Sequence, residues 1–447
     1  MSDRPEAPSS FESNFLGTVA TSLVVGMIGI GSGLIAARFL GPEMRGELAA
    51  IQLFPVAFGF LAVLGLPQAI VFFSAKSPQS SRSYAVTAVI LALLSSLALA
   101  GVGWMALPAI LHSQPDRVVE AGRIYLLLIL TQSALFLPYH ALQGLGRFRL
   151  WNLIRFTAPG LWLVVLFGFL AKQDRDPVGI ALSYGIGLLL LTVGITGLVG
   201  RRLDGPYNFR RGAVGILLRY GAPNMASDVP STLALRFDQV LIAALLSSQK
   251  LGVYVVAVTW SSVFLPLLSA FGAALFPRVA GERDTGKQRE LAARAVRTAT
   301  LLATASLLVI LPVTPFVLPL LFGSSYRSSV APAMILVVAG GFLAFNVAVR
   351  DLLRALGKPS GVLIAQLVGA ILTVACLIVT LGPFGLNGAA ASSVVGYGGS
   401  ATVLALLTSR ATQIPVVELL VPTAADVSQL RARLVRLFRS WRDSSIP

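Results

Sequence analysis

Ionisable and amide side chains lie within an otherwise apolar stretch of this sequence. The run YGAPNMASDVPSTLALRFDQVLIAALL, residues 220 to 246, contains Asn224, Asp228, Arg236 and Asp238. A guanidinium keeps its charge at physiological pH and forms paired hydrogen bonds to carboxylate or phosphate oxygens, so the arginine is a candidate for either kind of contact. Charged side chains are costly in an apolar environment and usually face a polar cavity or a partner. We therefore take these four residues as candidates for a ligand site.

The helical spacing of this run separates two of its charged side chains. At about 100° per residue, one face carries four side chains: Asn224, Asp228, Ser231 and Leu235. Arg236 and Asp238 diverge by about 200° and cannot point to one spot on a regular helix. Either Pro230 breaks the helix and reorients one of them, or one faces a cavity and the other a neighbouring helix. Arg236 is equally explained as a phosphate contact or as half of a structural ion pair.

A second group of candidates lies near two short glycine-containing motifs, LQGLGR at 142 to 147 and LRALGK at 353 to 358. His140 precedes the first motif and Arg350 and Asp351 precede the second, while Arg155 follows the first. Each is a candidate ligand contact, and each is also explained by anchoring at a membrane interface. Because an ordinary histidine titrates near neutral pH, His140 is a candidate for proton coupling, although a histidine that is simply hydrogen-bonded is commoner.

The composition indicates a membrane protein that holds these residues on helices. The chain has 447 residues, of which 55% are hydrophobic and 12% charged, against about 25% charged in a soluble domain. Since about 20 apolar residues cross a hydrocarbon core, we predict an all-α integral membrane protein of about twelve spans. The predicted spans are 15 to 38, 48 to 73, 84 to 111, 118 to 141, 152 to 171, 178 to 199, 215 to 246, 252 to 277, 295 to 322, 330 to 355, 360 to 381 and 386 to 409.

The net charge is +16, and the distribution of the basic residues agrees with the predicted membrane topology. Of the 35 lysines and arginines, 26 lie on the side that holds both termini, 8 on the other side, and Arg236 lies inside a span. By the positive-inside rule both termini are cytoplasmic, and we expect a multi-pass protein of the cell inner (plasma) membrane. Because topology accounts for the basic residues, we predict no nucleic-acid partner.

The two LG motifs belong to a repeat that covers the whole chain. They lie 211 residues apart, LGPEMRGELA at 40 matches LSSQKLGVYV at 246 with an offset of 206, and VGIALSYGIG at 178 matches NGAAASSVVG at 387 with an offset of 209. Each half contains six spans, an even number, so both halves enter the membrane from the same side. This predicts two parallel-repeat six-helix bundles with a crevice between them.

The repeat also sets the predicted domain boundaries. We predict a disordered N-terminus at 1 to 14, an N-terminal six-helix lobe at 15 to 205, a C-terminal six-helix lobe at 206 to 412, and a cytoplasmic tail at 413 to 447. The tail has helical spacing of apolar residues with arginines between them, which is typical of an amphipathic helix on an anionic leaflet; partner binding is the alternative. The single cysteine, Cys376, leaves no cysteine cluster for a metal, and we predict neither a metal nor a cofactor.

These motifs resemble a known family. ARFLGPEMRGELA, the paired LGR and LGK turns, RFDQVLIAALLSSQKLGVYVVA and the six-plus-six layout are similar to the oligosaccharide flippase, or polysaccharide transporter, family of the multidrug/oligosaccharidyl-lipid/polysaccharide (MOP) exporter superfamily. The resemblance covers roughly residues 12 to 412. It implies a MOP exporter-like fold and translocation of a polyprenyl-diphosphate-linked oligosaccharide to the outer leaflet by alternating access, for cell-surface polysaccharides such as lipopolysaccharide.

Three functional hypotheses follow from the sequence. The first is the flippase, with the lipid-linked oligosaccharide as substrate, membrane lipids as surroundings and H⁺ or Na⁺ as candidate coupling ions. The second is an ion-coupled multidrug exporter of the same superfamily. The third, a membrane-embedded enzyme, is disfavoured because the outer loops are short and no usable catalytic motif is present, so we predict that the protein is not an enzyme. Six spans per half predict a self-sufficient monomer; association with a polysaccharide polymerase stays an open hypothesis.

Overall fold

The computed structural model describes residues 11–263, 284–356 and 358–423, together with 426 and 428. Within these ranges the side chains at 11–16, 56, 57, 227, 228, 231, 233, 234, 285 and 359 lie outside the description. The candidate carboxylate of Asp228, the predicted disordered N-terminus before residue 11 and nearly all of the predicted amphipathic tail therefore lie outside the described residues. The helices are α1 (Phe11–Ala62), α2 (Leu66–Lys76), α3 (Ser81–Ile110), α4 (Asp116–Leu135), α5 (Tyr139–Gly144), α6 (Phe148–Arg155), α7 (Thr157–Ala171), α8 (Pro177–Arg202), α9 (Arg211–Leu245), α10 (Ser248–Ser261), α11 (Thr285–Phe322), α12 (Val330–Ala355), α13 (Pro359–Thr412) and α14 (Val416–Leu420).

The described part of the chain is helical and contains no strand. Eight of its helical segments are long and apolar enough to cross a membrane. Two of these, at 17–62 and 360–412, are about twice as long as one crossing requires. Each contains a sharp break, at Gly41 (φ 77°) and Gly385 (φ 55°), in a region of backbone space that favours glycine. The longer of the two, at 360–412, therefore contains two predicted spans, the other contains the first predicted span and most of the second, and the prediction of an all-α membrane protein is confirmed.

The two LG motifs form the same helix end. In the first, the Arg147 amide donates to the Leu142 carbonyl at 2.8 Å; in the second, the Lys358 amide donates to the Leu353 carbonyl at 2.9 Å. Both bonds join the same positions of the repeat and have the six-to-one pattern of a Schellman helix ending. Gly146, at φ 73°, supplies the left-handed residue that this ending requires. The repeated motif is thus a repeated turn, as the parallel repeat predicts.

The described residues group into two compact units. The first unit contains residues 1–259 and 319–329, and the second contains 260–318 and 330–447. The core of the first includes Leu66 and Ile70 of α2, Leu142 of α5 and Leu217 of α9. The core of the second brings together side chains from α11, α12, α13 and α14. The lobe boundaries inferred from the repeat, with a division at 205/206, stay a prediction.

A buried carboxylate joins α1 to α4 within the first unit. The Glu47 side chain is 2% exposed, and its oxygens accept hydrogen bonds of 2.7 and 2.9 Å from Arg117, which is 59% exposed. Removing the arginine leaves a buried carboxylate without its partner, whereas removing the carboxylate leaves an arginine that water can reach. Loss of Arg117 should therefore destabilise the folded protein more than loss of the Glu47 charge does.

We expect Arg117→Met to lower the midpoint of thermal unfolding more than Glu47→Gln does, and the double variant to regain most of the loss. The cost of Arg117→Met should stay below the ~3–5 kcal/mol of a fully buried pair, since the arginine is partly solvated. Thermal unfolding in detergent micelles measures both. Arg294→Gln serves as the control, because its pair with Glu290 is exposed on both sides (46% and 60%) and contributes little. Equal losses for the two single variants would contradict this asymmetry.

Candidate functional site

Two breaks in neighbouring helices create the surroundings of Arg155. The predicted fourth span ends as α4 at Leu135 and resumes as α5 at Tyr139, with Pro138, which has no amide hydrogen to donate, between them. The predicted fifth span divides between α6, which ends at Arg155, and α7. Arg155 is eight residues beyond Arg147, or about 12 Å along a helix axis. By the predicted span of 152 to 171, Arg155 lies about one helical turn inside the hydrocarbon core.

Neutral groups hold the Arg155 guanidinium. Its Nη2 donates to Ser22 Oγ of α1 at 2.8 Å, and its Nη1 donates to Asn152 Oδ1 at 3.3 Å. The guanidinium carbon also lies 4.8 Å from the centroid of the Trp151 ring, a cation–π contact. The amide of Asn152 is itself oriented by a 3.3 Å bond to Thr18 Oγ1. The contacts thus fix the orientation of the guanidinium without cancelling its charge.

Other arginines of the described part show the contrast. Arg117 binds Glu47 at 2.7 Å, Arg297 binds Asp426 at 2.7 Å and Arg350 lies 3.7 Å from Asp351. Each of these pairs an arginine with a carboxylate that neutralises it. Arg82 and Arg147 donate to backbone carbonyls at helix ends and join loops. Arg155 differs from both groups because neutral side chains hold it and, among the described residues, no carboxylate pairs with it.

His140 belongs to the same cluster of side chains. Its ring centroid is 4.2 Å from that of Tyr139 at a tilt of 57°, and Tyr139 lies nearly parallel to Trp151 at 6.3 Å. The Tyr139 ring also stacks on Phe136 at 4.3 Å. The predicted candidates His140 and Arg155 therefore contact the same aromatic wall, which is built from α5 and α6, through different rings.

Helix α9 resolves the geometry of Arg236 and Asp238. The helix is continuous through Pro230, Arg236 is exposed and Asp238 is 3% exposed. Asp238 Oδ2 accepts a 2.6 Å hydrogen bond from the Tyr254 hydroxyl of α10. Pro230 therefore does not break the helix, Asp238 faces a neighbouring helix as the second alternative expects, and Arg236 is exposed. Buried and hydrogen-bonded, the Asp238 carboxylate ties α9 to α10.

The remaining sequence-based candidates occupy different settings. Asn224 is exposed, and its amide nitrogen donates to the Tyr220 carbonyl of its own helix at 2.6 Å. Arg350 and Asp351 belong to the second unit, where Arg354 Nη1 also lies 4.0 Å from Asp351 Oδ1. The repeat thus places an ion-paired group at the end of α12 where α5 has Tyr139 and His140. No group of three or more potential metal ligands occurs among the described residues.

A family model described as "Polysaccharide biosynthesis protein" matches residues 35–331, well over half of the chain. The chain belongs to this family. Solved structures share its fold. An inward-facing multidrug resistance MATE family transporter of the MOP superfamily aligns with a TM-score of 0.69 at 18% identity, covering 88% of this chain and 98% of that chain. The Lipid II flippase MurJ in an inward closed conformation aligns with a TM-score of 0.69 at 11% identity, covering 90% of this chain and 88% of that chain. A Vibrio cholerae MATE transporter, VcmN, aligns with a TM-score of 0.64 at 17% identity, covering 90% and 97%. No curated protein matches the sequence.

Membership of this family confirms the resemblance inferred from the motifs, and the fold is that of the MOP superfamily. The chain thus belongs to a polysaccharide biosynthesis family and shares its fold with solved membrane transporters and a flippase. At identities below 20%, the solved structures establish the fold alone. What the chain carries has to be argued from its own residues.

A close contact between glycines closes one end of the first unit. Gly46 of α1 and Gly252 of α10 occupy equivalent positions of the repeat, and each packs against the other's backbone. A Cβ added to Gly46 would lie 1.7 Å from the Ser248 carbonyl oxygen, and one added to Gly252 would lie 1.8 Å from that of Pro42. By the predicted topology this end faces away from the cytoplasm.

Hydrogen bonds surround this glycine contact. Ser248 Oγ donates to Gln114 Oε1 at 2.7 Å, and Gln114 Nε2 donates to the Ala243 carbonyl at 2.7 Å. The Tyr326 hydroxyl donates to the Ala37 carbonyl at 3.0 Å. We call the set formed by Gly46, Gly252 and these hydrogen bonds the glycine seal. Sequence reasoning matched the two segments as a repeat but missed that they touch, because the alignment of two copies does not reveal a contact between them.

Proposed function

We propose that the protein is a flippase that translocates a polyprenyl-diphosphate-linked oligosaccharide from the cytoplasmic to the outer leaflet by alternating access. The product would enter cell-surface polysaccharide biosynthesis. The family description supports a role in polysaccharide biosynthesis. The protein would work in the inner (plasma) membrane with both termini in the cytoplasm, in agreement with the distribution of lysine and arginine.

The main support for this proposal is the position of Arg155 and its contacts with neutral side chains. A diphosphate brings concentrated negative charge into a region where an uncompensated charge is costly. Arg155 offers a fixed positive charge about 12 Å along the helix from the turn, and its bonds to Ser22 and Asn152 leave part of its N–H fork for a ligand. Because its partners are neutral, binding a phosphate needs no ion pair to break.

We assign supporting roles in translocation to the other sequence-based candidates. Arg236, exposed on α9, is proposed as a second phosphate contact, and Asn224, exposed on the same helix, as a hydrogen-bonding contact for the sugar. His140, beside Tyr139, is proposed as the group that couples a proton to transport, with Na⁺ as the alternative coupling ion. Asp228, Asp238, Arg350 and Asp351 stay candidates whose roles are proposals. We further propose a monomer as the working unit.

The test is the location of lipid-linked glycans in cells depleted of this protein. Mass spectrometry of polyprenyl-linked glycans identifies the repeat unit, and a membrane-impermeant lectin reports which leaflet holds it. We expect complete repeat units to accumulate on the inner leaflet and to move outward when the wild-type chain is restored.

Two other outcomes would contradict the proposal. A normal lipid-linked pool on the outer leaflet would argue against a flippase, and raised sensitivity to cationic drugs in the same cells would then favour the ion-coupled multidrug exporter. Accumulation of complete units on the outer leaflet would instead place the defect after translocation, at polymerisation.

A further inference from the structure

A groove of about 430 Å³ lies within the second unit, between helices α11, α12 and α13 and the short helix α14. Its walls are almost entirely apolar and include Leu307, Phe342, Ala401 and Ala405. The groove is open along one side, where Leu406 is 47% exposed. Helix α14 contributes Leu420 and closes one end. A concave apolar site of this size is large enough for part of a ligand.

Side-chain hydrogen bonds occupy the corresponding position of the first half. In the first half, Thr196 Oγ1 of α8 donates to the Leu135 carbonyl at 2.5 Å, and Gln132 Nε2 of α4 donates to Thr192 Oγ1 at 3.4 Å. These bonds tie α8 to α4. With the offset of 209 residues, Thr192 and Thr196 correspond to Ala401 and Ala405, and with the offset of 211, Gln132 corresponds to Leu343.

The second half has neither of these hydrogen bonds at the position of the groove, and α12 is instead joined to α13 four residues before Ala401, where the Asn346 amide donates to the Tyr397 carbonyl at 3.0 Å. Leu343 stands where the first half has the amide of Gln132. Ala401 and Ala405 stand where it has Thr192 and Thr196, so two hydroxyl groups are replaced by smaller apolar side chains. The lining is apolar apart from Thr300, Thr304 and Thr402, and a mainly apolar cavity favours hydrocarbon over water. The replacements therefore indicate a site for an apolar chain.

Charge at one end of the groove indicates what the chain is attached to. Arg297 lies about one turn before Thr300 on the same face of α11. Its Nε donates to Asp426 Oδ2 at 2.7 Å. Burial alone would raise the pKa of Asp426, but hydrogen bonds from Thr423 and the ion pair with Arg297 outweigh it and hold the pKa below its usual value. Arg297 is therefore neutralised at physiological pH.

Arg410 is the arginine at this end that takes part in no ion pair among the described residues. It lies one turn beyond Leu406 on the α13 face that lines the groove, and it is exposed. From Thr300 to Leu307 the groove extends about 10 Å along the helix, a third of the hydrocarbon core of about 30 Å. An apolar channel of this depth that ends at an exposed arginine matches a lipid with one chain inside and its phosphate at the rim.

We propose that this groove binds one hydrocarbon chain of an anionic membrane phospholipid, with the lipid phosphate held at Arg410. The proposal is independent of the flippase function, because it concerns a lipid that stays with the protein rather than one that it moves. A bound lipid would fill the space that polar ties fill in the first half and would support the packing of α11 against α13.

The test uses the full chain in nanodiscs that contain phosphatidylglycerol with a photoactivatable diazirine in its acyl chain. After irradiation, peptide mass spectrometry maps the crosslinks. We expect crosslinks concentrated at groove residues such as Thr304 and Leu406, and lower labelling when the label is carried by phosphatidylcholine. Labelling spread evenly over the exposed apolar residues of all helices would overturn the proposal.

Three variants connect the labelling to the groove. Ala405→Phe fills it and should reduce labelling there to background, while Arg410→Gln should reduce phosphatidylglycerol labelling about fivefold, the effect expected of one arginine near a lipid phosphate. Ile378→Phe adds the same ring at a position that is 66% exposed and should leave labelling unchanged. Ala405→Thr restores the residue of the first half and provides a milder variant if the phenylalanine prevents folding.

Competition distinguishes the lipid from other occupants. Unlabelled phosphatidylglycerol should displace the crosslinks at groove residues. If a polyprenyl monophosphate at the same mole fraction displaces them and phosphatidylglycerol does not, the phospholipid assignment is wrong and the groove belongs to an isoprenoid chain. Retention of full labelling by both Ala405→Phe and Arg410→Gln would also overturn the proposal.

Discussion

Replacing Arg155 with methionine is expected to reduce translocation of the lipid-linked glycan by about 10- to 100-fold, the loss that corresponds to one charge-assisted hydrogen-bonded contact of ~1.5–3 kcal/mol. Methionine keeps an unbranched apolar side chain next to Trp151 but removes the charge and the N–H groups. Arg155→Lys should retain more activity than Arg155→Met, because it keeps the charge and loses only the paired geometry with which a guanidinium meets a phosphate. Transport is measured by the appearance of the glycan on the outer leaflet.

A second arginine of the first unit provides a matched control. Arg123 also lies over a tryptophan ring, with its guanidinium carbon 5.2 Å from the Trp104 centroid, and its Nε donates to the Trp104 carbonyl at 3.0 Å. Arg123→Met removes a comparable cation–π contact away from the proposed site and should leave transport unchanged. Purified Arg155→Met protein should also bind a polyprenyl diphosphate more weakly than wild type while unfolding at a similar temperature. Normal transport by Arg155→Met would exclude this arginine from substrate binding.

Much of the fold follows from the sequence because the membrane restricts it. Runs of about 20 apolar residues must be helical in lipid, so hydropathy alone predicts the spans. The offset of 211 residues between the LG motifs predicts a repeated turn, and the structure forms the same backbone hydrogen bond in both copies. The break of the second predicted span at Leu64 and Gly65, both at positive φ, was not predicted. A leucine gives no sequence signal for that conformation.

The site was less predictable because it depends on contacts between distant segments. Arg155 was a candidate from its position in a span, but its partner Ser22 is 133 residues away and belongs to another helix. Helical spacing separated Arg236 from Asp238, yet only the packing of α10, which brings Tyr254 to Asp238, shows which of them is buried. Sequence periodicity thus gives the face of a side chain, and tertiary packing decides what that face meets.

Adding one methyl group to Gly252 is expected to disrupt the glycine seal. In the structure the added Cβ would lie 1.8 Å from the Pro42 carbonyl oxygen, and this oxygen belongs to the backbone and cannot rotate away as a side chain would. Helices α1 and α10 must therefore separate at this end in Gly252→Ala, and overpacking of this kind typically costs about 1–3 kcal/mol. Gly46→Ala should have the same effect, because its Cβ would meet the Ser248 carbonyl oxygen at 1.7 Å.

The measurement uses the single cysteine of the chain. With Cys376 replaced by serine, a cysteine introduced at the fully buried Ala243, whose carbonyl accepts from Gln114 in the seal, reports opening by its reaction with a membrane-impermeant maleimide. We expect slow labelling in this background and labelling about 5- to 100-fold faster in Gly252→Ala, since a loss of ~1–3 kcal/mol raises the open population by that factor. Labelling from outside the cell would also test which side the seal faces.

Gly101 provides the matched control, because it lies within α3 and an added Cβ there would meet nothing within 4 Å. Gly101→Ala should not change the labelling and should raise helix stability by up to about 1 kcal/mol. If alternating access requires this end to close while the other is open, Gly252→Ala should also lose transport, since both ends would then be open together. A Gly252→Ala protein that folds, stays unlabelled and transports normally would show that α1 and α10 accommodate the methyl group, and the glycine contact would then be packing without a gating role.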